Sequence, residues 1–397
     1  MKCLRDRCVS VGLVLYLAVG APPSAPAAGY GPPPVRTWDA TQYPGVDIFA
    51  KVMAAFHACG NGCTVYIPPG VYPHVTTTLV FPVLSFGGAS LWIDSGATIY
   101  YTGSGDAIAL LGAGQSYVNA KIFGGGKIVG SSAGAHGIHL AGFNKAQFTD
   151  LRIYGFTNGD GWFNEGANTI DCFGCEFGLN AIGIHQVGSV ISGTPYSPNA
   201  VHFWGGQVAF NTLWGAYEEG TQASLAGPGI GNVYEGVVFQ LNGSNAIPGA
   251  SGNMFLQRCD SCVVSSYFEY SASQTISNQV ILGDNSPACG GPNSCTNIAT
   301  VIRDSVFVSG GKVVNTINNV NGWFTKVDGN LEEGIVTNFF NNGSLSYAAD
   351  FLANTAMAAK NMTTGAGSYN GFSGTSTVGA CVLTIVRGRI MNGRGCQ

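Results

Sequence analysis

Charged side chains are scarce in this chain of 397 residues. Asp, Glu, Lys and Arg make up 10% of it, less than half of the roughly 25% that is usual in soluble domains. The net charge is −4 and Lys and Arg form no cluster. The sequence therefore has no basic segment of the kind that binds nucleic acid or an anionic membrane surface. Hydrophobic residues reach 46%, which excludes a disordered chain.

Long apolar runs are equally rare. A basic start, Lys2 to Arg7, precedes the apolar stretch Val9 to Ala21, which is too short to span a bilayer comfortably. Ala25-Pro26-Ala27 then matches an A-x-A cleavage site. We predict that residues 1–27 are a signal peptide and that the protein is secreted, to the extracellular space or the periplasm; an uncleaved anchor is the alternative. After cleavage we expect no membrane contact.

The cysteines occur as near neighbours along the chain. Two of the twelve, Cys3 and Cys8, lie in the predicted signal. An even number of cysteines in an exported protein predicts disulfides. Two C-x-x-C units could instead hold zinc, but the 83 residues between Cys175 and Cys259 do not fit a compact zinc module. The predicted pairs are Cys59/Cys63, Cys172/Cys175, Cys259/Cys262, Cys289/Cys295 and Cys381/Cys396.

Glycine is abundant, with 59 residues or about twice the usual share, and part of it is periodic. A pattern of Gly, a mostly apolar residue and then an aromatic residue or His recurs at offsets of 24, 22 and 32 residues. These offsets match one coil of a solenoid, so each copy should occupy the same place on successive coils. The copies are Gly137-Ile138-His139, Gly161-Trp162-Phe163, Gly183-Ile184-His185 and Gly215-Ala216-Tyr217.

A second register repeats every 31 residues and supports the first. The segments CEFGLN, GQVAFN and VVFQLN align position by position between residues 175 and 242. Two apolar columns two residues apart have the period of a strand. A final column of Asn predicts a turn, where Asn tolerates left-handed backbone and can bond along the stack. The columns are Phe177/Val208/Phe239, Leu179/Phe210/Leu241 and Asn180/Asn211/Asn242.

One helix is predicted, from Asp47 to Ala58. Its apolar residues recur at spacings of three and four residues, which gives the helix one apolar face. Asp47 can cap its start, and Gly60 can end it. A strand at residues 64–67 and the turn Pro68-Pro69-Gly70-Val71-Tyr72 follow. Since the end of a coil exposes apolar side chains and unpaired edge groups, we expect the helix to cover that end.

The run GVDIFAKVMAAFHACGNGCTVYIPPGVY, residues 45–72, resembles the opening of the pectate-lyase superfamily. The resemblance implies a right-handed parallel β-helix with three-sided coils that acts on a polysaccharide, but it does not fix a reaction. The predicted fold is therefore all-β: a single-stranded right-handed parallel β-helix with an N-terminal capping α-helix and a C-terminal hairpin.

The coil pattern sets the expected boundaries along the chain. We expect a Pro/Gly-rich lead-in at 28–45, the capping helix region at 46–63, the β-helix at 64–344 and a C-terminal cap or tail at 345–397. Within that tail, Ser346 to Ala359 is a short helix or loop, and the segment between Cys381 and Cys396 forms a hairpin with its turn near Gly388.

The catalytic signatures of two members of this superfamily do not carry over. The polygalacturonase set N-T-D, D-D, G-H-G and R-I-K is missing, although Asn168-Thr169-Ile170-Asp171 is a near match. The pectate-lyase W-I-D-H motif survives only as Trp92-Ile93-Asp94-Ser95, and its R-x-P-x-x-R partner is absent. Candidate chemistry therefore has to come from the repeat itself.

The repeat predicts an exposed vertical strip with one residue from each coil. If the residues after each Gly point inward, His139, Phe163, His185 and Tyr217 point outward. Four coils about 4.8 Å apart span roughly 14 Å, the length of about three sugar rings, and aromatic faces suit sugar C–H groups. We predict that this strip, with Trp214, binds substrate; packing under a loop is the alternative.

Two positions beyond the strip, Glu165 and Glu219 fall two coils apart. The strand spacing places them near 9–10 Å along the axis. A carboxyl separation of about 6.5–9.5 Å suits an inverting glycosidase. Glu218 would have its pKa raised by its neighbour Glu219, as a general acid requires, and Asp160 precedes the same strip. We predict these four acids as the catalytic set; solvated surface carboxylates are the alternative reading.

These residues favour a secreted polysaccharide-degrading enzyme, a glycoside hydrolase rather than a lyase. The alternative is a non-catalytic carbohydrate-binding or cell-surface protein that uses the same strip. No cofactor is expected, although calcium is possible where Arg258, Asp260 and Glu269 lie close in sequence. The expected partner is a polysaccharide, with no nucleic acid.

Overall fold

Parallel strands stacked coil upon coil build the protein. The computed structural model describes residues 37–60, 62–81, 88–220, 227–243, 251–270, 275–284, 295–310 and 313–342, and then the segments 350–352, 355–361, 368–370, 374–378, 381–386 and 389–394. The predicted signal peptide and most of the predicted lead-in lie outside the described residues.

Short strands account for nearly all of the regular structure. In the first part of the chain they are β1 (Thr37–Asp39), β2 (Thr64–Ile67), β3 (Gly70–Val75), β4 (Leu79–Val80), β5 (Ser90–Ile93), β6 (Ala97–Tyr101), β7 (Ile108–Phe123), β8 (Lys127–Val129), β9 (His136–Thr149), β10 (Arg152–Tyr154), β11 (Asp160–Glu165), β12 (Asn168–Phe173), β13 (Glu176–Gly178), β14 (Ile182–Val187), β15 (Ser189–Ile191), β16 (Thr194–Tyr196), β17 (Asn199–Trp204), β18 (Gln207–Ala209) and β19 (Trp214–Glu219). The remaining strands are β20 (Gly229–Ile230), β21 (Val233–Gln240), β22 (Gly252–Leu256), β23 (Cys259–Asp260), β24 (Val263–Glu269), β25 (Ile276–Leu282), β26 (Asn297–Ile298), β27 (Val301–Arg303), β28 (Val306–Val308), β29 (Val313–Asn319), β30 (Gly322–Trp323), β31 (Lys326–Asp328), β32 (Leu331–Asn342), β33 (Asp350–Leu352), β34 (Thr355–Asn361), β35 (Ser368–Asn370), β36 (Gly374–Val378), β37 (Cys381–Val386) and β38 (Arg389–Arg394).

Each coil contributes one strand to each of three parallel sheets. Sheet 1 stacks β4, the first parts of β7 and β9, then β11, β14, β19, β22, β25, β29 and the end of β32. Sheet 2 includes β1, β2, β5, β12 and β17, and sheet 3 includes β3, β6, β8, β10, β13 and β18. The predicted right-handed parallel β-helix is confirmed.

Stacked apolar side chains fill the interior of the coils. The predicted column of Phe177, Val208 and Phe239 is buried and in register along sheet 3. Its aromatic stack continues through Phe268 and Phe307, with ring centroids 5.0 and 4.8 Å apart. Because each coil covers the apolar face of the next, the described part of the chain has one core cluster that runs from Ala40 to Phe340.

The capping helix α1 spans Ile48–Cys59, as the apolar periodicity predicts. Asp47 caps it by accepting a hydrogen bond from the Ala50 N–H, and Gly60 follows its last turn. The other oxygen of Asp47 accepts from the N–H groups of Thr76 and Thr77, so the cap also ties the helix to the first coil. No helix among the described residues has the length and hydropathy needed to cross a membrane.

The predicted Asn column forms a buried ladder at the turn between sheets 3 and 1. The backbone N–H of Asn180 donates to the side-chain oxygen of Asn211 at 3.0 Å, and that of Asn211 donates to Asn242 at 3.1 Å. Each side chain therefore satisfies a backbone donor of the previous coil, which a buried turn requires.

The column of Leu179, Phe210 and Leu241 was expected to belong to a strand, and that expectation is wrong. These residues adopt left-handed backbone, with φ of 59°, 58° and 53°, and Leu179 and Phe210 are exposed. The left-handed residue of this turn is thus the one before each Asn, not the Asn itself. Strands β13 and β18 end after three residues, and the chain turns there, before the apolar period can continue.

Strand pairing continues beyond the expected end of the β-helix at residue 344. Strand β33 pairs with β31, β34 with β32, and β35 with β33, all in parallel. The described residues of the segment 346–359 are therefore strands and not a helix or loop. Strands β36, β37 and β38 then form an antiparallel sheet that includes the predicted hairpin. The lead-in likewise already contains β1, which pairs with β2.

Three of the predicted disulfides join neighbouring cysteines at turns: Cys59–Cys63, Cys172–Cys175 and Cys259–Cys262. Cys295 is also disulfide-bonded. The predicted partners Cys289 and Cys396 lie outside the described residues. Loops this short gain little from chain entropy, so these bonds mainly fix local turns.

Candidate functional site

The four glycine repeats stack on sheet 1. Ile138, Trp162, Ile184 and Ala216 are fully buried, whereas the residues that follow them point outward. The register pairs His139 with Phe163, Phe163 with His185, and His185 with Tyr217. These side chains, with Phe255 from β22, form one vertical column on the outer surface of sheet 1, which we call the wall.

The glycines of the repeat leave space for the Asn ladder. A Cβ atom on Gly183 would lie 2.7 Å from the side-chain nitrogen of Asn211 and 2.6 Å from the Gly215 oxygen. A Cβ atom on Gly161 would similarly lie 2.6 Å from the Asn180 side chain. The glycine repeat and the Asn repeat therefore belong to one packing arrangement, in which these glycines lie against the ladder asparagines. This arrangement fixes where along its strand the outward-facing residue of each coil lies.

His139 joins three successive coils through its side chain. Its Nδ1 lies 2.8 Å from Asp106 Oδ2 on the preceding coil, and its Nε2 lies 2.8 Å from Glu165 Oε2 on the following coil. We call Asp106, His139 and Glu165 the first triad.

His185 repeats this arrangement two coils further along. Its Nδ1 lies 3.0 Å from Asp160 Oδ2 and its Nε2 lies 2.9 Å from Glu219 Oε2. Asp160, His185 and Glu219 are the second triad. His136 stands beside it, with Nδ1 3.3 Å from Asp160 Oδ2.

Aromatic rings fill the space between and beyond the triads. Phe163 stacks on His136 with centroids 4.2 Å apart, and its ring lies 5.1 Å from both His139 and His185. Tyr217 continues the stack, 5.0 Å from His185 and 5.3 Å from Phe255. The wall thus alternates ionic and aromatic surface along the coil axis.

The carboxylates keep both histidines protonated near neutral pH. Burial alone would lower the pKa of His185, but its hydrogen bonds and charge interactions with Asp160 and Glu219 outweigh burial and raise that pKa to about 9. His139 behaves in the same way with Asp106 and Glu165, and its pKa is also raised to about 9. Burial would raise the pKa of Asp160, but His136 and His185 lower it overall.

Glu165 and Glu219 lie in one register column with Val187 between them. Their side chains are 33% and 21% exposed, so a ligand on the wall can reach both. The structure brings together Asp160, Glu165 and Glu219 of the predicted acids, with the strip residues His139, Phe163, His185 and Tyr217.

Glu218 lies elsewhere, and its predicted place beside the other acids is wrong. Its side chain points into the coil interior and is 1% exposed, because strand alternation turns it away from Glu219. It accepts hydrogen bonds from Tyr234 and from Asn232. Burial, and not Glu219, raises its pKa to about 7.

Trp214 is also less accessible than predicted. Its side chain is 5% exposed and packs with Ile182 and Ile281. Its ring lies 5.2 Å from Phe255. Trp214 therefore supports the wall from one side and offers little surface to a ligand.

Sequence reasoning missed two residues of the wall: Asp106, which belongs to the first triad, and His136, which lies beside the second. Asp106 lies in a coil without the Gly-x-aromatic pattern, and His136 directly precedes Gly137. On their own coils, Asp106 and His136 both occupy the position that Asp160 occupies on its coil. The strand register shows this equivalence, since Asp160 pairs with His136. Comparing the residue before each repeat could have found His136, but Asp106 carries no local signal.

A cavity of about 400 Å³ adjoins the end of the Glu165 strand. The hairpin of β15 and β16 forms one side of it, and a row of asparagines from sheet 2 forms the other. A Cβ atom on Gly166 would lie 2.5 Å from Tyr196, so the hairpin packs directly on this edge. The lining residues are Asn144, Asn168, Thr194, Pro195, Tyr196, Ser197 and Asn199.

The candidate metal ligands do not assemble a site. Asp260 belongs to sheet 2, whereas Glu269 ends a sheet 3 strand, where it accepts a hydrogen bond from Gln240 at 3.0 Å. Among the described residues, Glu218, Cys259 and Cys262 place ligand atoms within 4.8 Å of one another. Those two cysteines form a disulfide, so their sulfurs are not thiolate ligands.

Solved structures of other proteins share this architecture. ORF18 of Geobacillus virus E2 aligns with a TM-score of 0.55 at 15% identity, over 88% of this chain and 64% of its own, so the chain spans about two thirds of that viral protein. An alginate lyase from Paenibacillus sp. str. FPU-7 aligns with a TM-score of 0.55 at 14% identity, over 84% of this chain and 99% of its own. An endo-xylogalacturonan hydrolase from Aspergillus tubingensis aligns with a TM-score of 0.52 at 12% identity, over 82% and 95%.

No protein-family model matches the sequence, and no curated protein does. The chain nevertheless has the pectin-lyase-like fold, as the run at residues 45–72 predicted. At these identities the likeness establishes the fold and not the reaction.

Proposed function

We propose that this protein is a secreted polysaccharide-degrading enzyme, a glycoside hydrolase that holds its glycan along the wall. One observation carries the proposal: Glu165 and Glu219 lie two coils apart in one outward column, each oriented by a histidine. Two strand steps are about 9.6 Å, close to the separation of about 6.5–9.5 Å in inverting glycosidases.

In this mechanism one of the two glutamates acts as the general base and the other as the general acid. The base takes a proton from water, whose oxygen attacks the anomeric carbon. The glycosidic C–O bond breaks, and the acid gives its proton to the departing oxygen. The histidines fix the orientation of both side chains, while Phe163 and Tyr217 offer ring surface to the sugars on either side.

Two further observations support a secreted protein that acts on a glycan. The alginate lyase and the xylogalacturonan hydrolase that share the fold act, by name, on polysaccharides. The disulfides, together with the basic and apolar N-terminus, support export. N-terminal sequencing of the exported protein tests the second point: cleavage after Ala27 supports it, and a retained Met1 contradicts it.

A non-catalytic carbohydrate-binding protein is the second candidate. In each triad both ring nitrogens of the histidine already face a carboxylate, so neither imidazolium has a nitrogen left over for proton transfer. Such an arrangement also suits a rigid binding surface. Turnover separates the two candidates.

The deciding experiment incubates the purified protein with a panel of plant, algal and bacterial glycans. New reducing ends without absorbance at about 235 nm indicate hydrolysis, and new absorbance indicates elimination, which would contradict the proposed reaction. Glu165→Gln and Glu219→Gln should each lower the rate at least about 100-fold while glycan binding persists. Glu235→Gln is the matched control, because Glu235 is exposed on sheet 2. Binding without turnover would favour the second candidate.

A further inference from the structure

The cavity beside the β15–β16 hairpin results from an insertion between β14 and β17. On the preceding coil, two residues, Gly166 and Ala167, connect β11 to β12. On the next coil, residues 188–198 make the equivalent connection, and they include the hairpin. The hairpin turns at Ser192 and Gly193, which both have positive φ, as a tight two-residue turn requires. The inserted residues therefore form a short, well-defined element that encloses a space beside sheet 2.

Three asparagines from successive coils form the opposite side of this cavity. Asn168 pairs in register with Asn144 on one neighbouring coil and with Asn199 on the other. The three residues therefore follow one another about every 4.8 Å, and the row spans about 9.6 Å, roughly the length of two sugar rings. Asn199 is exposed, as are Thr194 and Pro195 of the hairpin side, so a dissolved ligand can reach the cavity.

The hydrogen bonding of this row differs from that of the buried Asn ladder. In the ladder, the side-chain oxygen of Asn211 accepts from the Asn180 N–H, and its side-chain nitrogen donates to Phe177 O. By contrast, Asn168 Oδ1 is buried and has no hydrogen-bond partner within the described part of the chain. A buried acceptor without a partner is unfavourable. Because Asn168 lines the cavity, a hydroxyl donor held there would supply this partner after a small rotation of the amide.

We propose that the cavity binds one or two uncharged sugar units, at a site separate from the wall. A sugar hydroxyl both donates and accepts hydrogen bonds, and an amide side chain offers both functions. Thr194 and Ser197 add hydroxyl groups to the lining, and Pro195 and Tyr196 add apolar surface for sugar C–H groups. None of the described lining side chains is charged, so an acidic or a basic ligand meets no counter-charge in the lining. The site holds a sugar whether or not the wall cleaves a polysaccharide.

The test uses small sugars, and saturation-transfer NMR measures their binding. The panel holds the methyl glycosides of galactose, glucose, mannose and xylose, with galacturonate and glucosamine as charged counterparts. We expect at least one neutral sugar to bind the wild-type protein, and Asn168→Ala to weaken that binding at least about fivefold. Asn158→Ala, which removes an exposed amide that bonds Ser132 O, is the matched control and should leave the affinity unchanged.

A shortened variant removes the hairpin and leaves the asparagine row intact. Replacing residues 188–198 by Gly-Ala gives this coil the connection that the preceding coil has at Gly166 and Ala167. We expect the shortened protein to lose the sugar affinity. Its unfolding midpoint reports whether the coils remain folded, and Asn168→Ala decides alone if they do not.

The outcomes separate this inference from the proposed function. Loss of neutral-sugar binding in the cavity variants supports the inference, even if no glycan is cleaved. Binding that survives Asn168→Ala, binding confined to galacturonate or glucosamine, or no binding of any neutral sugar would overturn it. None of these results alters the measurement of new reducing ends, which alone decides whether the wall is catalytic.

Discussion

His139 and His185 occupy equivalent positions two coils apart, and each joins an aspartate of the preceding coil to a glutamate of the following coil. Each histidine therefore links three successive coils, through partners 25 to 34 positions away in the sequence. Phe163 lies between the two rings and contacts both. The geometry of the wall and the stability of the coils beneath it consequently depend on the same side chains.

His185→Gln should destabilise the protein by about 2–4 kcal/mol, because Asp160 and Glu219 lose a charged partner in a largely buried site. Urea unfolding at pH 7 measures this loss. The matched control is His202→Gln, since His202 is 30% exposed and bonds Asp171 at the surface of sheet 2. The control should lose no more than about 0.5–1 kcal/mol. Equal losses in the two variants would contradict a special role for the triad.

Stability should also fall in alkaline solution. The pKa of His185 is raised to about 9 in the folded protein, above the value of 6.5 that it starts from. The stabilisation is therefore complete below pH 6.5 and is lost as the pH rises through 9, up to about 3 kcal/mol for this histidine. Unfolding midpoints at pH 7, 8.5 and 10 test it. His185→Gln should have a flatter profile over this range, and a profile parallel to the wild type would contradict the assignment.

Glu218→Gln should stabilise the protein more at pH 8 than at pH 5, which is the opposite of the pH dependence expected when a surface acid is lost. Burial raises the pKa of Glu218 from 4.5 to about 7, so its contribution is present below pH 4.5 and is lost as the pH rises through 7. The variant should thus gain on the wild type between pH 5 and pH 8, by up to about 3 kcal/mol. Denaturation at both pH values measures the difference. Glu235→Gln should show no such gain. A stability difference between Glu218→Gln and the wild type that does not change with pH would refute the raised pKa of Glu218.

The repeated elements could be predicted well because residues that stack on each other in a solenoid are separated along the chain by one coil. The glycine column, the Asn ladder and the capping helix all follow from residues close in sequence or separated by one coil. The strand prediction for Leu179 was wrong because its apolar side chain continues the strand period, although the chain has already turned at this residue. Local patterning cannot detect a turn that keeps an apolar residue at its exposed tip.

The candidate site was only partly predictable for a related reason. His139 and Glu165 stood out because they occupy repeat positions, but Asp106 belongs to a coil without the repeat. Glu218 was misplaced because adjacent glutamates look alike in sequence, whereas strand alternation sends one outward and one inward. The side of a strand on which a residue lies depends on its register with neighbouring coils.

Asn211→Ala should cost about 2–4 kcal/mol. Its side-chain oxygen accepts from the Asn180 N–H, and its side-chain nitrogen donates to Phe177 O and to Asn242. The alanine would leave a buried backbone donor unpaired, which is more costly than losing an exposed hydrogen bond. Asn158→Ala, which removes an exposed bond to Ser132 O, is the matched control and should stay within about 0.5 kcal/mol. Urea unfolding compares the two, and similar losses would refute the ladder's contribution.

Phe163→Ala should weaken glycan binding about tenfold, because the ring between the two triads provides the apolar face on which a sugar would stack. Phe173→Ala removes the same side chain from sheet 2, where Phe173 stacks on Trp204 and is 36% exposed. Affinity electrophoresis with whichever glycan the panel identifies should therefore separate the two variants, while their unfolding midpoints report any general loss of structure. If Phe173→Ala weakens binding as much as Phe163→Ala, the glycan lies on sheet 2 and the wall is not the binding surface.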